Sequence, residues 1–313
     1  MRVLNNSKQR IQLADLKRDA EGGALTVERD EELYSNRIES AALEIISREC
    51  CVILLSGPSG SGKTTSSLKL AYKLTELGTK TQVISLDDFY KNVKEYPDTP
   101  DGAKDYESIY CLDIELVNEK LSDLVRTGHA DIPQYDFVFQ KRKPEMKEVD
   151  LCAGGKIIVE GIHALNPLLS ESIGRDDMFR VYAGLCSEYY ESDERVISTR
   201  EVRMARRMIR DHYFRGHSVE KTLELWDNLL EGETKWIRVF RAGADHLLDT
   251  SLVYEACLYG KLLEEIYADG HETGAFRHVF YQIMERFLKV SPMDEALVPD
   301  NSMLREFLGG LIL

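Results

Sequence analysis

A glycine-rich segment, GPSGSGKTT at residues 57–65, lies between an apolar run and an amphipathic stretch without glycine or proline. The segment fits the pattern G-x-x-x-x-G-K-[ST]. Its glycines allow backbone N–H groups to surround phosphates, and its lysine supplies a cation for the β- and γ-phosphates. A plain Gly/Ser linker would not need lysine and threonine at this spacing. We therefore predict an ATP or GTP site that includes Gly57, Ser59, Gly60, Ser61, Gly62, Lys63, Thr64 and Thr65.

Acidic side chains follow two predicted strands. Asp87 and Asp88 come after TQVISL, and Glu160 ends the run IIVE. Parallel strands present their carboxyl ends at one edge of a sheet, so these groups should lie near the glycine loop. Asp87 is the candidate base for a phosphate-accepting hydroxyl, with Asp88 as its rival, although either could merely cap a helix. We predict Mg²⁺ ligands among Thr64, Glu160 and Asp87.

An arginine-rich stretch reverses the local charge of a chain whose formal net charge is −14. At about 100° per residue, Arg203, Arg207 and Arg210 share one helix face. Guanidinium groups suit phosphoryl oxygens, so we predict a lid over the phosphates, at about 195–217. Its predicted phosphate-facing members are Arg207, Arg210 and Arg215, and Arg210 joins Lys63 and Asp87 as a catalytic candidate. Arg200 and Arg206 are predicted to be solvated.

An aromatic pocket is a further expectation. Tyrosines and phenylalanines at 90, 106, 135 and 137 could bind a flat ring, and nearby acids could hold sugar hydroxyls. Such aromatic residues are also ordinary core residues, and both interpretations stay open at this point. The candidate acids are Asp105, Glu107 and Asp136.

Composition limits the class of protein. The chain has 313 residues, of which 43% are hydrophobic, enough for a substantial core. It has no apolar stretch of about 20 residues and no signal-peptide pattern, so we expect a cytoplasmic protein without a membrane partner. Its acidity argues against duplex nucleic acid. The six scattered cysteines are expected to be reduced and mostly buried, and a homo-oligomer is compatible with the sequence.

Alternating strand and helix patterns predict an α/β fold with a doubly wound parallel sheet and right-handed crossovers. The predicted divisions are an N-terminal arm or disordered lead-in at 1–34, with a weak helical pattern only around residues 11–16, a core at 35–255 and a helical segment at 256–313. A small hairpin is predicted within 130–143. Core strands are predicted at 51–55, 81–86, 156–160, 178–185 and 246–252, and helices at 34–49, 66–77, 112–124, 197–214 and 221–230.

Several segments together resemble the uridine kinase and phosphoribulokinase group of P-loop kinases, most closely its uridine/cytidine kinase branch. The resemblance covers about residues 50 to 255. The late segment DNSMLREFLGG is similar to the C-terminal end of certain bacterial uridine kinase-like proteins. The segments that carry the resemblance are GPSGSGKTT, SLDDFYK, PQYDFVFQKRK, IIVEGIHALNP, RRMIRDHYFRGHS and LLEGETKWIRVFRAGADHLLDTS.

The resemblance implies roles for individual residues. It makes Asp87 the catalytic aspartate, with magnesium near Thr64 and Glu160. The donor phosphates would meet Arg210 and Arg215. On the acceptor side it implies the base-contacting residues Tyr90 and Tyr135, the phosphate-facing Arg207, and a ribose-binding acid that is either Glu107 or Asp105.

Three positions depart from the uridine/cytidine kinase pattern, and all belong to the acceptor side. They are Gln140, where the family has a histidine, His217, where it has an arginine, and Leu225, where it has a glutamine. A glutamine can still hydrogen-bond a pyrimidine edge, but losing a polar partner can change substrate preference by orders of magnitude.

The resemblance implies a kinase that uses ATP or GTP with Mg²⁺ to phosphorylate the 5′ hydroxyl of a nucleoside. The leading candidate nucleosides are uridine and cytidine. One alternative is a related kinase for another small hydroxyl metabolite, such as another nucleoside or a sugar phosphate. A second alternative is a nucleotide-sensing regulatory protein, although no N-K-x-D motif is present.

Overall fold

The computed structural model describes residues 8–99, 102–151, 154–268 and 274–312. The strands in chain order are β1 Gln9–Gln12, β2 Val52–Ser56, β3 Thr81–Ser85, β4 His129–Ile132, β5 Tyr135–Asp136, β6 Lys141–Arg142, β7 Lys147–Asp150, β8 Lys156–Glu160, β9 Met178–Gly184, β10 Ser187–Glu191, β11 Glu194–Ile197 and β12 His246–Asp249. The α-helices are α1 Leu13–Gly22, α2 Ala24–Ile46, α3 Lys63–Glu76, α4 Ile114–Thr127, α5 Thr199–Phe214, α6 Val219–Glu224, α7 Trp226–Trp236, α8 Ala256–Ala268, α9 Arg277–Leu288 and α10 Arg305–Leu308.

A five-stranded parallel sheet forms the centre, in the order β12-β9-β2-β8-β3. Every residue of β2 and β8 is buried. Their continuous apolar runs suit strands that are covered by protein on both faces. The doubly wound parallel sheet predicted from the sequence is confirmed.

Alternate residues of the central strands pack into two different cores. Ile53 and Leu55 face the cluster that includes residues of α2, α3, α5 and α8. Val52 and Leu54 face the cluster that includes residues of α4. This division follows from the two-residue period of a strand, which sends successive side chains to opposite faces of the sheet. The helices therefore fix the sheet from both sides.

The prediction of an unstructured arm at 1–34 is wrong for residues 8–34. Strand β1 pairs in parallel with β10, and helix α2 begins ten residues before the predicted start at 34. Leu16, Val27 and Tyr34 are buried in the core that covers one face of the sheet. Helix α2 buries only a narrow face. Charged residues therefore occupy most of the positions between the buried ones, and the segment is polar in composition. Residues 1–7 lie outside the described residues.

The C-terminal residues pack on the chain's own core. After α8 and α9, Met303, Leu304 and Phe307 are fully buried. The predicted helical character of 256–313 is confirmed for α8, α9 and α10. No helix in the described ranges is both long and apolar enough to cross a membrane.

The cysteine prediction is confirmed for the residues that can be described. Five cysteines carry free thiols, and Cys51 alone of them is only half-buried. Cys152 lies outside the described residues. The small predicted hairpin is also present, formed by β5 and β6.

Candidate active site

The glycine loop connects β2 to α3 at the carboxyl edge of the sheet. Gly62 precedes the helix in the left-handed region, with φ 77° and ψ 22°. A Cβ at Gly57 would lie 2.3 Å from the backbone oxygen of Ala183 in β9. Both positions therefore require glycine, one for its conformation and one for the close approach. The loop has the shape that a phosphate-binding loop before a helix N-terminus needs.

Three arginines of α5 fix this loop. Arg203 Nε donates to the Ser59 carbonyl at 2.7 Å, and Arg207 Nη1 donates to the Ser59 hydroxyl at 3.1 Å. Arg206 Nη1 donates to the Gly60 carbonyl at 3.2 Å. These bonds satisfy the carbonyl oxygens of Ser59 and Gly60 and the hydroxyl of Ser59. The first half of α5 is thus a support for the phosphate-binding loop.

Arg206 is fully buried, so the prediction that it is solvated is wrong. Its Nε and Nη2 donate to the two carboxylate oxygens of Glu255 at 2.6 and 2.9 Å, and Nη2 also donates to the Thr250 carbonyl at 3.0 Å. Phe307 covers the guanidinium, 5.0 Å from its ring centre. A buried carboxylate in the distant α8 region supplied the partner, and helix periodicity alone does not reveal such a contact. Arg200, by contrast, is exposed as predicted.

The three arginines predicted to face phosphate converge on one carboxylate, Asp211. Arg207 Nε lies 3.2 Å, Arg210 Nη2 2.8 Å and Arg215 Nε 3.8 Å from its oxygens. Asp211 is 2% exposed and so can hold the group in place. One negative charge for three guanidinium groups leaves a positive excess, which suits the capture of an anionic phosphoryl group.

The two neighbouring aspartates have different environments. Asp88 Oδ1 accepts a hydrogen bond from the Tyr135 backbone N–H at 3.2 Å, so it fixes the β5–β6 hairpin to the loop after β3. Asp87, by contrast, accepts no such hydrogen bond in the described part of the chain and keeps an exposed surface. Desolvation by the surrounding protein raises the pKa of Asp87, and the ammonium of Lys63 opposes this shift. Asp87 is the aspartate that is placed to meet a ligand beside the loop.

The two carboxylate oxygens of Glu160 have different surroundings. Its Oε1 accepts from the Ser85 hydroxyl at 2.9 Å, while Oε2 has no hydrogen-bond partner among the described residues. Burial raises the pKa of Glu160, and Lys63 opposes the rise. An unpartnered carboxylate oxygen fits direct or water-mediated binding of a hard cation such as Mg²⁺. The exposed Thr64 at the start of α3 leaves its hydroxyl available for the same ion.

Aromatic side chains named in the sequence analysis lie close to one another, and Tyr90 is near Asp87. The Tyr90 ring centre lies 5.9 Å from that of Tyr135, and Tyr135 lies 5.1 Å from Phe137. Tyr96, which the sequence analysis did not single out, lies 6.0 Å from Tyr90. Phe137 is 61% exposed whereas Tyr96 and Tyr135 are buried, so the cluster extends from the core to the surface.

Of the two candidate ribose acids, Glu107 faces the loop. Asp105 Oδ1 accepts the backbone N–H of Glu107 at 3.1 Å, so its carboxylate orders the turn. Burial raises the pKa of Glu107 to about 7, and the guanidinium of Arg207 opposes the rise. A carboxylate between the arginine group and the aromatic cluster can accept hydrogen bonds from hydroxyls.

The three positions that depart from the family pattern lie outside the buried core. Gln140 occupies the exposed turn between β5 and β6, with φ 52°. His217 is exposed, and its backbone N–H donates to the Asp211 carbonyl at 3.0 Å. Leu225 lies at the junction of α6 and α7. None of the three side chains is buried.

Sequence reasoning missed residues that reach the site from far along the chain. Glu306 Oε2 accepts from both the backbone N–H and the hydroxyl of Thr65, at 3.1 and 2.8 Å. Met303 packs on the loop so closely that a Cβ at Gly62 would lie 2.4 Å from its sulfur. Glu233 is buried and pairs with Arg203, with Nη1 to Oε2 at 3.1 Å. Only the late segment DNSMLREFLGG signalled that the C-terminal residues matter.

The fold and the site define a P-loop α/β protein of the nucleotide-kinase type. The sequence profile of the phosphoribulokinase / uridine kinase family matches residues 52–250, and the chain belongs to that family. The matched range contains the glycine loop, the acidic strand ends and helix α5. The resemblance seen in the sequence is confirmed at the level of the family.

Named relatives agree with this placement. The chain is 28% identical to the uridine kinase of Borreliella burgdorferi over 185 residues, which are 59% of this chain and 77% of the relative. It is 30% identical to the uridine kinase of Staphylococcus haemolyticus over 181 residues, 58% and 77% of the two chains. Among solved structures, phosphoribulokinase from Rhodobacter spheroides aligns with a TM-score of 0.42 at 12% identity, covering 66% of this chain and 74% of that one.

Proposed function

We propose that the protein is a kinase that transfers the γ-phosphoryl group of ATP or GTP to the 5′ hydroxyl of a nucleoside, with uridine or cytidine as the first candidate acceptors. The observation that carries the proposal is that Asp87 lies close enough to both Lys63 and Tyr90 to interact with them electrostatically, beside the half-buried acid Glu107. Family membership and the names of the relatives support the same activity.

In the proposed reaction, the acceptor oxygen forms a bond to the γ-phosphorus while the bond from that phosphorus to the β,γ-bridging oxygen breaks. Asp87 takes the proton of the acceptor hydroxyl. Lys63 and the arginines around Asp211 stabilise the charge on the phosphoryl oxygens. A bound Mg²⁺ would neutralise phosphate charge near Thr64 and Glu160.

The acceptor is tested by a substrate panel. The full chain is assayed with ATP or GTP by coupled detection of the nucleoside diphosphate, using the common nucleosides and small sugar phosphates as acceptors. We expect uridine or cytidine to give the highest kcat/KM, and to raise the melting temperature in the presence of a non-hydrolysable ATP analogue. Nucleotide hydrolysis that ignores every small acceptor would contradict the kinase assignment.

A kinase for a different small hydroxyl compound is the second candidate, because Gln140 and His217 depart from the uridine/cytidine kinase pattern and are exposed. A sugar phosphate that outperforms every nucleoside in the same panel would favour it. The P-loop, Asp87 and the arginine group would then keep the same roles.

The pH dependence of acceptor binding follows from Glu107. Its pKa of about 7 lies above the usual range of a glutamate, so the carboxyl is protonated below that pH and ionised above it. An ionised carboxylate is the better hydrogen-bond acceptor for ribose hydroxyls. We expect the nucleoside KM to fall about tenfold between pH 6 and pH 8, as the ionised fraction rises by that factor.

Glu107→Gln should flatten this KM profile, whereas Asp105→Asn should retain it, since an amide oxygen can still accept the N–H of residue 107. The measurement is steady-state KM across pH for the three proteins. A Glu107→Gln profile as steep as that of the unchanged protein would show that another group titrates.

Glu306 occupies backbone and hydroxyl donors at the start of α3 that a donor phosphate would use. A carboxylate there competes with phosphate and repels it. We expect Glu306→Gln to tighten ATP binding about tenfold, roughly 1.4 kcal/mol, measured by calorimetric titration. The exposed Glu264→Gln is the matched control and should leave affinity within twofold. Weaker binding in Glu306→Gln would mean that the carboxylate contacts the nucleotide favourably.

A further inference from the structure

A cavity of about 390 Å³ is lined by residues of the end of β9, the start of α5 and the segment 238–241. Pro58 is its contact with the P-loop. Lys63, Asp87, Glu107 and Glu160 do not line it. The cavity therefore shares none of the residues proposed to act on the transferred phosphoryl group or the acceptor hydroxyl, although Pro58 joins it to the loop.

The lining of this cavity is strongly basic. Its two carboxylates are already engaged: Glu188 pairs with Arg195 at 3.2 Å, and Glu233 pairs with Arg203. The cations that line it are Lys8, Arg195, Arg200, Arg203, Arg238 and Arg241. Such a concentration of positive charge stands out in a chain of net charge −14, because it creates a local potential opposite to that of the whole protein.

Three of these guanidinium groups have no carboxylate partner in the described part of the chain. They belong to Arg200, Arg238 and Arg241. Arg241 lies over the Tyr182 ring, 5.6 Å from its centre, which fixes it to the cavity wall. Unpaired arginines that share one cavity repel one another, and an anion bound among them removes that repulsion.

Neighbouring elements hold the remaining donors in place. Lys8 Nζ donates to the Leu185 carbonyl at 3.2 Å and to Thr199 Oγ1 at 2.8 Å, so the N-terminal segment closes one side of the cavity. Ser198 and Thr199 line the cavity at the start of α5. This helix has 16 residues and directs the positive end of its dipole there.

We propose that this cavity binds a small, multiply charged phosphate compound, a metabolite that carries two or more linked phosphoryl groups. Guanidinium groups from separate elements can each take different phosphoryl oxygens. The volume suits one small metabolite. A single orthophosphate would leave most of the positive charge unmet, so binding increases with the number of phosphoryl groups.

The test is calorimetric titration of the full chain with tripolyphosphate and, separately, with orthophosphate. The cavity variant is Arg200→Ser/Arg238→Ser/Arg241→Ser. The control variant is Lys17→Ser/Lys147→Ser/Lys261→Ser, which removes the same charge from exposed positions elsewhere. Both are also made with Lys63→Ala, which weakens phosphate binding at the P-loop and so isolates the cavity.

In the Lys63→Ala background, we expect tripolyphosphate to bind at least tenfold more tightly than orthophosphate. The cavity variant should weaken tripolyphosphate binding at least tenfold, and the control variant less than twofold. If the triple variant melts at a lower temperature than the control, Arg200→Ser alone is used and should weaken binding several-fold.

Equal affinity in the cavity and control variants would overturn the proposal. So would complete loss of tripolyphosphate binding on Lys63→Ala alone, because the P-loop would then be the only phosphate site. Orthophosphate that binds as tightly as tripolyphosphate would overturn the assignment to multiply charged compounds.

Discussion

Replacing Asp87 with asparagine is expected to lower turnover at least ~100-fold while nucleotide affinity stays largely unchanged. The amide keeps the size of the side chain but cannot take the proton of the acceptor hydroxyl. Because Asp87 is exposed, the substitution should not disturb packing. Steady-state kinetics with the best acceptor, together with calorimetric titration of a non-hydrolysable ATP analogue, separates the two effects.

Asp88→Asn is the matched control for this prediction. Asp88 accepts the Tyr135 N–H, and an asparagine oxygen can accept the same bond, so we expect turnover within a few-fold of the unchanged protein. Full turnover in Asp87→Asn, or an equal loss of turnover in both variants, would show that Asp87 is not the catalytic base.

The second large effect concerns stability. Arg206→Met should lower the free energy of unfolding by about 3–5 kcal/mol, because it leaves the buried carboxylate of Glu255 without its charge partner. It also removes the donor to the Gly60 carbonyl, so nucleotide binding should weaken as well. Urea denaturation measures the first effect and calorimetric titration the second.

Two further variants make this prediction specific. The exposed Arg200→Met, on the same helix, should change the free energy of unfolding by less than about 0.5 kcal/mol. In the double variant Arg206→Met/Glu255→Met, no unpaired buried charge remains, so part of the lost stability should return. If Arg206→Met were as stable as Arg200→Met, the ion pair with Glu255 would contribute little.

Much of the donor side of the site was predictable from local sequence. A glycine at a left-handed position before a helix, as at Gly62, leaves a recognisable pattern because few other residues tolerate that backbone conformation. Asp87 and Glu160 could be placed near the loop because each ends a short apolar strand, and parallel strands end at a common edge. Their roles in phosphoryl transfer remain predictions.

The N-terminal segment shows where local reasoning failed. Residues 8–34 look polar, yet Leu16, Val27 and Tyr34 are buried, and β1 joins a strand almost 180 residues later in the chain. A segment whose buried residues are few and widely spaced gives a weak periodic signal. Its structure depends on the surface against which it packs, and composition does not describe that surface.

The sequence by itself determined that this chain has a phosphate-binding loop between a buried strand and a helix, with acids at neighbouring strand ends and an arginine face on a later helix. These features are local, since each follows from backbone conformation and periodicity over a few residues. Only the tertiary structure decided that Arg206 is buried with Glu255, that Glu306 reaches Thr65 from 241 residues away, and that Lys8 closes a basic cavity beside the loop. Such contacts join distant segments, and no short-range pattern encodes them.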